Sequence, residues 1–168
     1  MKEKLYKRIR KQLALFMMAL FLSGLTAIPV AAELRLLIKL LPEGSHIGVL
    51  LRHVLAAYVD VAIQYNFLLY GYDWIAFAHF VLAILFIGPY RDPARNIWVV
   101  EFGLIACVMV IPFAFVAGTL RGLPFWWLLI DCSFGVFGFA LLWRIRTNIR
   151  KLSSLVNYSS HHKTLYAL

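Results

Sequence analysis

Acidic residues are scarce in this chain: 8 Asp and Glu stand against 17 Lys and Arg, for a formal charge of +9. Cysteine is scarcer. Cys107 and Cys132 are the whole complement, both lie inside apolar runs, and neither belongs to a C-x-x-C pair. That spacing excludes a thiol–disulfide motif and a cysteine-based zinc site and leaves two small hydrophobes. No P-loop, dinucleotide fingerprint, nucleophile elbow, H-E-x-x-H or H-x-x-x-H pair occurs. A bis-histidine haem needs a second His at the depth of His79 in another apolar run, and none is present; His161-His162 in the tail reads as solvated. Neither a metal centre nor a cofactor is expected. The signatures of the common RNA- and DNA-binding modules are also missing, so the basic balance does not imply nucleic acid.

Apolar sequence is what the chain has in excess. Hydrophobic residues make up 62% of the 168 and the mean hydropathy is +0.79, against about 45–50% apolar in a soluble domain. A soluble fold of this size has too little interior for so much apolar side chain. The bases gather in blocks beside apolar runs: Lys2 to Lys11 before the first, Arg91 and Arg95 in a short connection, Arg144 to Lys151 after the last. Such flanks orient helices in a bilayer and attract anionic headgroups.

The expected fold is all-α, an integral membrane helical bundle forming a single membrane domain. Four transmembrane helices fall at about 13–32, 74–89, 97–118 and 124–143, with an extracytoplasmic helical insertion at 33–72 and a basic cytoplasmic tail at 144–168, loosely ordered in its last part. In the first run Ser23, Ala27 and Ala31 make a small-residue face, and Pro29 is expected to kink its outer end. Val30-Ala31-Ala32 resembles a signal-peptidase site, but the run is longer than a signal-peptide core, which favours a retained helix. Leu34–Leu41, with Arg35 and Lys39 on one face, reads as an interfacial helix. Ser45 is a candidate N-cap for a helix from Ile47 to Leu69 that carries His53, Asp60 and Gln64 along one stripe. Counting that helix as a fifth span would split the basic blocks across the membrane. The positive-inside rule therefore gives four spans, with both termini cytoplasmic.

Several motifs support a resemblance: Asp73-Trp74-Ile75-Ala76-Phe77-Ala78-His79, Gly88-Pro89-Tyr90-Arg91-Asp92-Pro93-Ala94-Arg95-Asn96, Glu101-Phe102-Gly103, Arg121-Gly122-Leu123-Pro124 and Ile130-Asp131-Cys132-Ser133-Phe134-Gly135. Together with Gly24 to Pro29, these make Tyr70–Arg144 resemble a family of small bacterial four-span inner-membrane proteins of uncharacterised activity. The resemblance implies the bacterial inner membrane and a multi-pass fold, and it brings no function with it.

Polar groups inside spans are costly and tend to face a bundle interior. In the four-span topology Glu33, Asp73, His79, Arg121 and Asp131 share an outer layer, His79 and Asp131 each lying about 8–10 Å below the outer end. An Asp–His pair in low dielectric can hold or pass a proton; the bland alternative is that both residues only fix helix packing. On the cytoplasmic side Arg91, Asp92, Arg95 and Glu101 form a second cluster. It reads as an ion pair pinning the connection, as a point of proton uptake, or as a lipid-phosphate grip.

Three functions follow from these readings. One is binding or helping to transport an ion, proton or small polar molecule through the outer cluster. Another is a membrane-embedded enzyme on a lipid or isoprenoid substrate, with His79 and Asp131 as acid and base. The third is a non-catalytic accessory or assembly subunit. Gly103, Gly135 and Gly138 permit close helix contact, and Pro112 frees a carbonyl in the third span. Four short helices leave little room for a pore, so a channel would need a homo-oligomer or a partner membrane subunit.

Overall fold

The computed structural model describes residues 2–42 and 44–165, with side chains as far as Leu155. His161 and His162 lie outside the described side chains. Among the described residues the protein is all helix: α1 (Lys2–Thr26), α2 (Val30–Leu40), α3 (His46–Gln64), α4 (Asn66–Leu85), α5 (Ile87–Arg91), α6 (Ile97–Leu120) and α7 (Phe125–Leu165). Five helical stretches, rather than four, are long and apolar enough to cross a bilayer: α1, α3, α4 continued by α5, α6 and α7.

Helix ends differ from the span limits for identifiable reasons. α1 begins within the basic block, because Lys and Arg are good helix formers and polarity alone does not end a helix. It stops at Thr26. Pro29 has no N–H to donate to Leu25, so the chain breaks there, and the Pro29 carbonyl accepts from Ala32 and Glu33 to start α2. Ala27 and Ala31 therefore fall off α1, and the small-residue face expected with Ser23 is not continuous. Ser45 caps α3 as expected, its Oγ accepting from the Gly48 N–H at 3.1 Å. The expected helix over 47–69 ends early, at Gln64. Tyr65 (φ −137°, ψ 49°) interrupts it, and α4 starts at Asn66 instead of Trp74. α7 continues into the tail as far as Leu165.

The chain folds as two compact units, Met1–Met17 with Leu85–Leu168, and Met18–Ile84. In the first, α6 packs along α7 on glycine. A Cβ at Gly135 would stand 2.8 Å from the Cys107 carbonyl oxygen, and one at Gly103 would stand 2.8 Å from Leu142 and 2.9 Å from Phe86. Most of the best-buried side chains of this unit collect toward the basic blocks, among them Ile9, Leu13, Phe86, Val100, Leu142, Ile145 and Ile149; Leu128, set against Gly118, is the exception. In the second unit α2 packs on α3, and Gly24 lets α1 meet α4, where a Cβ would come within 2.9 Å of the Ala76 carbonyl oxygen.

Much apolar surface faces outward, including Met109, Phe113, Val116, Phe134 and Phe137, while no polar or charged residue is buried among those described. Water would not tolerate that distribution on a monomer. Hydrocarbon does, and the protein is a membrane protein.

Candidate functional site

At the basic end of the first unit, four helix segments meet through polar and aromatic contacts. The Tyr6 hydroxyl of α1 donates to the Arg91 carbonyl at 3.1 Å. Arg10, one turn further along α1, lies over the Tyr90 ring with Cζ 4.4 Å from its centroid, and 5.8 Å from that of Tyr6. The connection after α5 is locked from within: Asp92 Oδ1 accepts from the Arg95 N–H, and the Asn96 amide donates to the Gly88 and Asp92 carbonyls. Glu101, one turn into α6, accepts from Arg146 Nε at 2.7 Å and from Arg150 Nη2 at 3.3 Å. Asn148 on α7 donates to Gln12 Oε1 on α1 at 3.1 Å.

The sequence-derived cytoplasmic cluster is thus rearranged. Arg91, Asp92 and Arg95 do share one connection, but Glu101 pairs with bases of α7. Arg10, Tyr90, Arg146 and Arg150 were absent from the candidate set. A signal existed for the α7 pair: two arginines four residues apart present one helix face, and an acid one turn inside a facing span is a natural partner.

The outer residues divide between the units. Arg121 and Asp131 belong to the first, where Arg121 is exposed just after α6 and Asp131 is half-buried on α7. Glu33, Asp73 and His79 belong to the second. No hydrogen bond or ion pair joins these three among the described residues. His79 Nδ1 lies 2.8 Å from the Ile75 carbonyl of its own helix, so the nitrogen carries a proton and donates it, leaving Nε2 uncommitted.

Asp73 opens onto two hollows. One, of about 610 Å³, is lined by Ile28, Tyr58, Asn66, Phe67, Leu69, Tyr70, Tyr72 and Asp73. The other, of about 280 Å³, is lined by Tyr70, Asp73, Trp74 and Phe77. The break at Tyr65 shapes the larger by folding α3 back toward α4, so that the rings of Tyr58 and Tyr72 meet edge to face at 6.0 Å. Its lining holds one carboxylate, three phenols and one amide, with no Lys, Arg or His. Among the described residues no three His, Cys, Asp or Glu converge in a metal-binding group.

Compared with family models, with curated proteins and with solved structures, the chain matches none.

Proposed function

We propose that this is a four-span inner-membrane protein, related to the small bacterial proteins it resembles, that binds a small cationic or polar molecule in the hollow beside Asp73. The observation that carries the reading is the lining of that hollow: a single negative charge among tyrosine rings, with no base to oppose a cation. Ring faces attract ammonium groups, and a carboxylate fixes them. Of the five outer residues, Asp73 is the one this reading needs.

Parity supports four crossings. The start of α1, the end of α5, the start of α6 and the later part of α7 meet at one end. α1 leaves that end, and α4 with α5 returns to it. The stretch between them therefore begins and finishes on one side and crosses an even number of times. α2, with 11 residues, is about 16 Å long and too short to span. On this reading α3 stays on the outer side. The bases assign the shared end, with both termini, to the cytoplasm.

Calorimetric titration of the protein in lipid nanodiscs with tetramethylammonium tests the binding. Saturable heat that disappears in Asp73→Asn and weakens in Tyr72→Leu is expected. An unchanged isotherm in both variants, or no heat from the wild type, overturns the reading. A second reading, an accessory subunit, is favoured by the α6–α7 seam. Between the levels of Glu101 and Asp131 this seam presents Gly103, Cys107, Gly135, Gly138 and Leu142 in close contact.

A further inference from the structure

We propose that the basic end of the first unit contains a defined site for a phosphate-bearing anion, supplied in the membrane by an anionic phospholipid headgroup and built on Arg10 and Arg91. Any basic flank attracts anionic lipid diffusely. Here the bases differ in what already neutralises them. Of the three carboxylates at this end, Glu3 pairs with Lys7 at 2.7 Å and Glu101 with Arg146 and Arg150, while Asp92 accepts the Arg95 N–H through Oδ1 and forms no ion pair among the described residues. Arg10 has no acidic partner among the described residues. It is half-buried over Tyr90, and its Nε is shielded from solvent without a hydrogen-bond acceptor. A partly buried, uncompensated cation is unfavourable until an anion arrives.

The aromatic contacts make this more than an unsatisfied charge. A guanidinium over a ring keeps its N–H groups at the edge of the plane, where a planar fork can meet two phosphate oxygens. Tyr90 carries Arg10 and is followed directly by Arg91, whose backbone carbonyl is held by the Tyr6 hydroxyl and whose side chain is exposed without an acid. Tyr6 and Tyr90 thus hold Arg10 of α1 against the short helix that carries Arg91, on a connection stiffened by Asn96. Exposed Trp98 and Trp143 at the same end mark the level at which a bilayer places its headgroups.

The test is native mass spectrometry of the full chain in neutral detergent, titrated with phosphatidylglycerol, with phosphatidylcholine as the zwitterionic control and inorganic phosphate as competitor. Retention of phosphatidylglycerol over phosphatidylcholine is expected. It should fall about tenfold in Arg10→Ala and Arg91→Ala, as loss of a charge-assisted bond implies. Arg144→Ala, an exposed base without these contacts, should leave retention nearly unchanged. Arg10→Lys, which keeps charge but loses the fork, should fall between. Displacement by millimolar phosphate would make free phosphate the ligand of the same site; resistance to it identifies the lipid. Equal losses in the Arg10, Arg91 and Arg144 variants, or no preference for phosphatidylglycerol, overturns the site. Arg91→Ala touches only an exposed side chain, so it decides the matter even if Arg10→Ala fails to fold.

Discussion

Glu101 gathers two guanidinium groups onto one oxygen, and the two are not equal. The Arg146 side chain is 22% exposed and that of Arg150 is 58% exposed, so water screens the second far more. Replacing Glu101 with Gln should cost about 1 kcal/mol, in the upper range for accessible ion pairs, read as a lower thermal midpoint in detergent. Arg146→Gln should cost more than Arg150→Gln, and the Glu101–Arg146 double variant should lose less than the two singles together. Additive losses would mean that the contact does not contribute. This pairing was only half legible in the sequence. The nearest bases to Glu101 along the chain are Arg91 and Arg95, whereas its partners lie 45 and 49 residues away. Choosing between them requires the register of α6 on α7, which Gly103 sets by admitting Leu142. Arg10 was obscured for a related reason: within a run of six bases nothing local distinguishes the one that lands on an aromatic ring.

Helices form contacts here through what glycine omits. A Cβ at Gly135 would press on the Cys107 carbonyl, which is backbone and cannot rotate aside, whereas one at Gly71 would meet nothing within 4 Å. Gly135→Ala should therefore destabilise by about 1–3 kcal/mol through forced separation of α6 and α7. Gly71→Ala should be neutral or gain up to about 1 kcal/mol from helix propensity. Titrations of both variants from mild detergent into sodium dodecyl sulfate, followed by circular dichroism, would check the contrast, and similar outcomes would refute it. Hydropathy located every apolar run but misplaced several ends, since it reports where lipid begins and not where a helix does. Pro29 and Ser45 act locally and were readable. Tyr65 was not: Gln64-Tyr65-Asn66 contains neither proline nor glycine, and the break depends on packing such as that of Tyr58 on Tyr72.

Across the whole molecule the membrane class was plain from composition, and the number of crossings was the harder question. α3 satisfies length and hydropathy as well as its neighbours do, so only connectivity and charge argue against its spanning. Single cysteines at Ser45 and Asn66, in a background with Cys107 and Cys132 replaced, would flank it. Both should react with a membrane-impermeant maleimide from the same, outer side, together with one at Arg121. Labelling of Ser45→Cys and Asn66→Cys from opposite sides would establish a fifth crossing. The outer cluster was legible as a set of costly polar residues, but its members fall in two units and only Asp73 lines a described hollow.

The buried residues of α1 and α7 at the basic end have a thermodynamic consequence. Ile9 and Leu13, with Ile145, Ile149 and Leu152, are shielded yet interleaved with Arg8, Lys11, Arg146 and Arg150. A core set among so many charges lies at the water side, where burial is driven by solvent and carries a large heat-capacity change. The glycine seam between α6 and α7 joins apolar faces; in a bilayer it would be surrounded by lipid tails as apolar as itself and owe its cohesion to close fit. Urea weakens the first kind of association and leaves the second nearly untouched. The protein should therefore loosen in two stages, its basic end parting first while the lipid-embedded helices remain paired.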